Sequence, residues 1–99
     1  MDEDQTKLLV EEVRLGEATR SFLRTPLGEY LVGRAQLEMA EAKDALVRID
    51  PHGWFSRRKY ARAQAQHAVA EQFLRWLNDA IVNGDSAFMQ LEAAEDIID

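Results

Sequence analysis

A continuous helical pattern from Thr25 to Asp50 constrains this chain more than any other feature. Apolar or alanine side chains recur there at every third or fourth position, which places them on one side of an α-helix. Thr25 is an N-cap candidate, and Pro26 suits the first helical position. Pro51 and Gly53 predict the end of the helix, because proline disfavours helical geometry in the residue before it and glycine opens a turn. The apolar positions are Leu27, Leu31, Ala35, Met39, Ala42, Leu46 and Ile49.

A second row of apolar or small residues runs along the same helix. The row consists of Tyr30, Gly33, Leu37, Ala40 and Val47. Two rows predict that two neighbours rather than one pack on this helix, which at about 1.5 Å per residue would be roughly 35 Å long. The 99 residues make a single helical domain, 1–99, and a core this modest makes a homo-oligomer the expected state. We expect residues 1–5 and 95–99 to fray.

Helices are also predicted on both sides of this stretch. The first runs from about residue 6 to 24, where Gly16 costs about 1 kcal/mol and predicts either a bend or two shorter helices. The third begins after Ser56 and runs to Asn83, where Asn83-Gly84 is a typical helix stop. Asp85 would then cap a short fourth helix. The predicted core row of the third helix is Ala61, Ala65, Ala68, Val69, Phe73, Trp76, Leu77, Ala80 and Ile81.

The predicted fold class is therefore all-α. No segment alternates with the period of two that is typical of a strand. Two long helices joined by a tight turn form an antiparallel helical hairpin. We expect the N-terminal helix and the short C-terminal helix to pack across it.

Composition excludes several classes of protein. Cysteine is absent, which removes disulfides, thiolate nucleophiles and thiolate metal sites. No apolar run reaches the roughly 20 residues of a membrane span, and the acidic N-terminus is unlike a signal peptide, so we expect an intracellular protein without a membrane partner. Residues 1–12 hold five acids and one base, and residues 85–99 hold five acids and no base. The overall charge of −6 argues against wholesale coating of DNA.

Residues suited to catalysis or metal binding are few. His52 and His67 are fifteen residues apart, and the pair of His67 with Glu71 lacks the second histidine of a zinc-protease motif. A surface histidine beside a helix carboxylate is the simpler interpretation. Phosphate-binding loops, dinucleotide glycine patterns and nucleophile elbows are absent from the sequence. We therefore expect no enzyme, no catalytic or metal-ligating residue, no cofactor and no small-molecule substrate.

A basic cluster beside aromatic residues is the main functional candidate. Cations at a helix N-terminus are mildly unfavourable, because the helix dipole is already positive there. Such a cluster fits a phosphate backbone with a stacked base, or an acidic protein surface. The alternative is pairing with the acidic ends of this chain or of a second copy. The predicted contact residues are Trp54, Phe55, Arg57, Arg58, Lys59 and Arg62.

Two pairs of aromatic residues have structural interpretations of their own. Trp54 and Phe55 are predicted to plug the open end of the helical pair, with an exposed binding patch as the alternative. Phe73 and Trp76 are predicted to lie in the core or at an oligomer contact.

The order of several short motifs resembles a family of small, uncharacterised helical proteins of tailed bacteriophages and prophages, encoded near DNA-packaging and head genes. The resemblance covers roughly residues 15–86. It implies a phage protein of the host cytoplasm or virion, a non-catalytic module that binds a phage or host protein in head assembly or DNA packaging. The alternatives are a nucleic-acid-binding accessory that uses the basic cluster and an acidic inhibitor of a host enzyme. The motifs are Leu15-Gly16-Glu17, Phe22-Leu23, Thr25 to Leu31, Gly33-Arg34-Ala35, Ile49-Asp50-Pro51, Phe73 to Leu77, Ile81 and Gly84.

Overall fold

The computed structural model describes residues 1–50 and 52–98. Within these residues the chain forms three α-helices and no β-strand, so the predicted all-α class is confirmed. The helices are α1 (Glu3–Leu23), α2 (Pro26–Arg48) and α3 (Arg57–Ile98). Pro51, predicted to end the long helix, and Asp99, in the segment predicted to fray, lie outside the described residues. Fraying of residues 1–5 and 95–98 stays a prediction.

Side-chain caps determine where the first two helices begin. The Asp2 carboxylate accepts the Gln5 backbone N–H at 2.8 Å, and the Gln5 side chain accepts the Asp2 N–H, so α1 begins earlier than predicted. It continues through Gly16 without a break, and the alternative of two shorter helices is wrong. Thr25 caps α2 as predicted, because its Oγ1 accepts the Gly28 N–H at 2.9 Å.

The link between α1 and α2 is tight, and Gly28 makes it possible. The Thr25 hydroxyl also donates to the Phe22 carbonyl oxygen at 2.6 Å, which ties the end of α1 to the start of α2. A Cβ atom on Gly28 would lie 1.9 Å from that same carbonyl oxygen. Any larger residue at position 28 would therefore force the link apart.

The first two helices lie one after the other along α3. An ion pair joins Arg20 of α1 to Asp85 of α3, while Gln5 and Leu8 near the start of α1 border a concavity with Gln90. As residue numbers fall along α1, the facing numbers in α3 therefore rise, and these two helices are antiparallel. We call α1 with residues 77–98 of α3 the terminal half of the molecule.

The second helix also packs against α3 and runs antiparallel to it. Eight residues connect α2 to α3, and eight extended residues reach at most about 28 Å. If α2 and α3 were parallel, the connection would have to run back along the whole length of α2, which is roughly 35 Å. The connection is too short for that, so the two helices are antiparallel. We call α2 with residues 57–76 of α3 the loop half. The whole molecule is a thin rod with extents of 67 × 30 × 17 Å.

The buried surface between α3 and the other two helices is made of small residues, and we call it the small-residue seam. In α2 the members are seven residues apart, and in α3 most are seven or fourteen residues apart. This spacing is expected when antiparallel helices face each other along one stripe. Among the described residues, no large side chain is fully buried. The burial predicted for Ala35 and Ala42 is confirmed. The seam consists of Gly16, Ala35, Ala42, Ala63, Ala70, Gly84 and Ala87.

The predicted stop at Asn83-Gly84 is wrong, and so is the separate short C-terminal helix. Helix α3 continues for 42 residues from Arg57 to Ile98. Gly84 is buried, and a Cβ there would lie 3.0 Å from both the Glu12 carbonyl oxygen and the Gly16 Cα. This glycine allows two helices to approach each other and does not end one. Asp85 forms the ion pair with Arg20 rather than capping a new helix.

The predicted core row of α3 is also wrong in its first half. The predicted positions Ala61, Ala65, Ala68 and Val69 are exposed, whereas Ala63 and Ala70 are buried. Alanine occupies so many positions between 61 and 70 that it cannot indicate which side of the helix faces inward. Trp76, predicted to lie in the core or at an oligomer contact, is 64% exposed, so its place in the core is wrong and the oligomer contact stays a prediction. Phe73 is half-buried. A seam that accepts only small residues leaves no space for an indole ring.

The prediction that two neighbours pack along α2 is wrong. Only α3 packs along it among the described residues, and α1 contacts it at the link. The second row is exposed along its whole length, from Tyr30 to Val47, and so is Leu27 of the first row. Because the rod is one pair of helices thick, no helix among the described residues covers the outer side of α2.

Candidate functional site

The six predicted contact residues lie at the loop end of the rod, residues 49–62. The connection is held by local hydrogen bonds. The Asp50 carboxylate accepts the His52 N–H at 2.9 Å, and the Ser56 N–H donates to the Gly53 carbonyl at 3.2 Å. Helix α3 then begins with the Tyr60 N–H donating to the Ser56 carbonyl at 2.8 Å.

Trp54 and Phe55 do not plug the end of the helical pair. Trp54 is 81% exposed and Phe55 is 88% exposed, so the predicted plug is wrong and the alternative, an exposed patch, is what the structure shows. Ala42 and Ala63 keep α2 and α3 close at this end, and the half-buried Ile49 and Tyr60 lie beside them. Both rings are therefore left open to solvent.

The aromatic pair and the first two arginines of α3 form a common surface. Trp54, Phe55, Arg57 and Arg58 line one open concavity of about 480 Å³. We call these four residues the loop-end patch. Lys59 and Arg62 do not line it. Arg62 is five positions after Arg57, which turns it about 140° around the helix.

The basic residues of this cluster are exposed to solvent. Among the described residues, none of Arg57, Arg58, Lys59 and Arg62 forms an ion pair, and the first turn of α3 contains no acidic residue. Their positive charge adds to that of the helix N-terminus. Because α3 is unbroken, roughly 50 Å separates Arg62 from Glu95. Pairing with the acidic ends of the same chain is therefore wrong, whereas pairing with a second copy stays open.

The histidines do not form a site with other ligands. His67 Nδ1 lies 3.5 Å from Glu71 Oε2, and Glu71 Oε1 accepts from Arg75 Nη2 at 2.7 Å. Both contacts join residues four positions apart on α3, which is the usual arrangement of a charged helix surface. Within residues 1–50 and 52–98, no three or more His, Cys, Asp or Glu side chains are grouped as metal ligands. That this protein is not an enzyme stays a prediction.

The sequence patterns did not predict a second exposed apolar surface, apart from the oligomer contact that was one alternative for Trp76. Leu15, Leu27, Val69 and Trp76 are between 60% and 69% exposed, and we call these four residues the mid-rod flank. Each directly precedes a buried or half-buried residue of the inward-facing stripe: Gly16, Gly28, Ala70 and Leu77. An apolar residue directly before each inward-facing residue is therefore the sequence pattern that marks this surface. The pattern can be recognised only when the inward-facing residues are already known.

Comparisons with models of protein families, with curated proteins and with solved structures gave no match. In the part of the chain that the structure describes, no helix is both long enough and apolar enough to cross a bilayer. The relation to phage proteins that the motifs implied stays a prediction.

Proposed function

We propose that this chain is a non-catalytic protein-interaction module and that the loop-end patch is its contact surface. The observation that carries the proposal is the exposure of Trp54 and Phe55 beside two arginines that have no ion pair among the described residues. Trp and Arg are among the residues that contribute most to binding energy at protein interfaces. Covering the two exposed rings would remove apolar surface from water, which favours binding.

The chemistry of the patch indicates the partner's surface. Arg57 and Arg58 would pair with carboxylates, because the planar guanidinium binds a carboxylate through two hydrogen bonds. The rings would contact an apolar area between those carboxylates. The resemblance to phage proteins makes head assembly or DNA packaging the setting that we propose, with a phage protein as the partner. We also propose, independently of the loop-end patch, that the chain forms a homo-oligomer.

Affinity purification from the cells that express the gene tests this proposal. We expect one specific partner to be retained by the wild-type chain and at least tenfold less of it by the double variant Trp54→Ala/Phe55→Ala, since tenfold corresponds to about 1.4 kcal/mol. Met89→Ala is the matched control, because Met89 is also a large apolar residue, 67% exposed, at the opposite end of the rod. Equal retention by the double variant would contradict the proposal. Mass spectrometry of the partner separates a phage assembly protein from a host enzyme that the chain inhibits.

A nucleic-acid-binding accessory is the second candidate. The observation in its favour is the set of four exposed cations without ion pairs among the described residues: Arg57, Arg58, Lys59 and Arg62. Binding through them would weaken steeply as salt rises, because released counterions drive it.

A gel-shift titration at low salt tests this second candidate. We expect the shift to disappear when these four residues are changed to Ala. It should persist when four other exposed bases are changed to Ala, a control with the same net charge: Arg14, Arg34, Lys43 and Arg75. Absence of a shift with the wild-type chain would end the nucleic-acid candidate and leave the protein-partner proposal standing.

A further inference from the structure

This chain exposes more surface than a compact protein of its size. Its accessible area is 7816 Å² for a mass of 11.3 kDa. Folded monomers of that mass expose about 5,700 Å². The excess of about 2,100 Å² lies within the roughly 1,000–2,500 Å² that each subunit buries in a large homodimer interface.

The mid-rod flank lies on one face of the rod. In an antiparallel pair of helices, the residues that directly precede the seam positions of both helices lie on the same face. In the terminal half, Leu8 and Gln90, which directly precede the half-buried Leu9 and Leu91 of the inward-facing stripe, border one concavity, as this geometry requires. The residues that follow the seam lie on the opposite face, as the ion pair of Arg20 with Asp85 shows. Leu15, Leu27, Val69 and Trp76 therefore share one apolar face.

This face is centred on the middle of the rod. Trp76 is the twentieth of the 42 residues of α3, and the link between α1 and α2 lies at the same level. Phe22 and Phe73 are both half-buried. Their register places them on the same side, because Phe22 directly precedes the half-buried Leu23 and Phe73 is three residues after the buried Ala70. An apolar surface at the midpoint of a rod can face its own copy across a two-fold axis, because that axis maps the midpoint onto itself.

The charges at the two ends favour one of the two possible orientations. Residues 1–12 and 89–99 carry nine acidic residues and one lysine, whereas residues 57–62 carry four bases and no acid. A parallel pair would place like charges side by side. An antiparallel pair would place each basic cluster beside the acidic end of the other copy, at distances where salt screens the attraction only in part.

We propose that the mid-rod flank binds a second copy of this chain in the antiparallel orientation, with Trp76 near the two-fold axis. The pair has four helices in cross-section, and its core contains the large apolar side chains that the seam of one copy leaves outside. The proposal specifies the surface and the orientation of the expected homo-oligomer. The contact itself lies at mid-rod and uses only the long-range charge of the basic cluster, so the loop-end patch stays free for another partner.

Light scattering of the full chain at micromolar concentration tests the surface. We expect the mass of two chains for the wild type and of one chain for Trp76→Glu and for Leu15→Glu, each with helical circular dichroism retained. Val82→Glu is the matched control, because Val82 is 54% exposed on the outer side of α3, six residues from Trp76, and its variant should stay a dimer. A wild-type mass of one chain, or a monomeric Val82→Glu, would overturn the proposal.

Cross-linking tests the orientation. Because the sequence contains no cysteine, only the introduced cysteines can react. Arg62 and Gln90 are exposed and each lies fourteen residues from Trp76 along α3. When Arg62→Cys and Gln90→Cys chains are mixed and treated with a short bismaleimide, we expect the mixed 62–90 product to exceed both like products severalfold. Predominant 62–62 and 90–90 products would show a parallel pair and overturn the antiparallel assignment. Neither result bears on the loop-end partner, so the two proposals fail separately.

Discussion

The terminal half and the loop half of the rod use different residues at the seam, and the difference shows what each requires. In the terminal half Gly16 faces Gly84, and a Cβ on Gly84 would lie 3.0 Å from backbone atoms of the facing helix. In the loop half, apart from Gly28 at the link, the buried positions are alanines, such as Ala42 and Ala70, so a methyl group separates the backbones. The glycines therefore let the backbones of α1 and α3 come close in the terminal half, and glycine is required there for packing rather than for a turn.

The halves also differ in their polar contacts. Of the ion pairs among the described residues, only that of Arg20 with Asp85 joins two helices, and it lies in the terminal half. The others join residues three or four positions apart within one helix. Alanine contacts thus hold the loop half together without an ion pair between its helices in the described residues.

The largest effect is expected where the glycines meet. Gly84→Leu places a bulky side chain against backbone atoms that cannot move without separating the helices, and we expect the free energy of unfolding to fall by about 3 kcal/mol or more. Gly33→Leu is the control, because a Cβ on Gly33 meets nothing within 4 Å. That variant should gain up to about 1 kcal/mol from helix propensity. Urea unfolding at one fixed protein concentration measures both, and equal effects would contradict the difference between the two sites.

A smaller loss of stability is expected when a seam alanine is replaced by glycine, or a seam glycine by alanine. Ala42→Gly should cost about 1–2 kcal/mol, because helix propensity and a buried methyl group are both lost. Gly84→Ala should cost about 1 kcal/mol, because crowding of the facing backbone exceeds the gain in propensity. Thermal unfolding of both variants measures these changes. A Gly84→Ala variant that is more stable than the wild type would show that the helices of the terminal half have space between them.

The smallest effect is expected at the ion pair. The Arg20 and Asp85 side chains are 47% and 53% exposed, and their 2.7 Å contact is open to solvent. We expect a double-mutant cycle with Arg20→Ala and Asp85→Ala to give a coupling of at most about 1 kcal/mol, which should shrink in high salt. A coupling that salt leaves unchanged would mean that the pair is shielded from water.

The sequence predicts the start of α2 and its inward side well, because those features depend on local chemistry. Thr25-Pro26 is a capping pattern whose hydrogen bond forms within four residues, and Ala35 and Ala42 lie on the longer of the two apolar rows of α2. The second row is exposed, so the pattern alone does not say how much of the helix is covered. The predicted position of the basic cluster beside Trp54 and Phe55 required only adjacency in the chain. These predictions needed no knowledge of tertiary contacts.

The remaining predictions failed where a residue has two possible roles. Asn83-Gly84 has the composition of a helix stop, but a glycine also allows a second helix to come close, and only the position of Gly16 decides between the two. The alanines of residues 61–70 give the helix no preferred side. The exposure of Trp54 and Trp76 depends on how narrow the seam is, which is a property of two helices together.

Amide hydrogen exchange measured by NMR at Gly84 and at Ala70 compares the two halves most directly. An unbroken α3 packed through a small-residue seam predicts that both amides are strongly protected, with exchange rates within about tenfold of each other, because both open only when the helices separate. Exchange at Gly84 near the rate of an unstructured peptide, with Ala70 still protected, would show that α3 ends there, and it would contradict the glycine contact and the rod built on it.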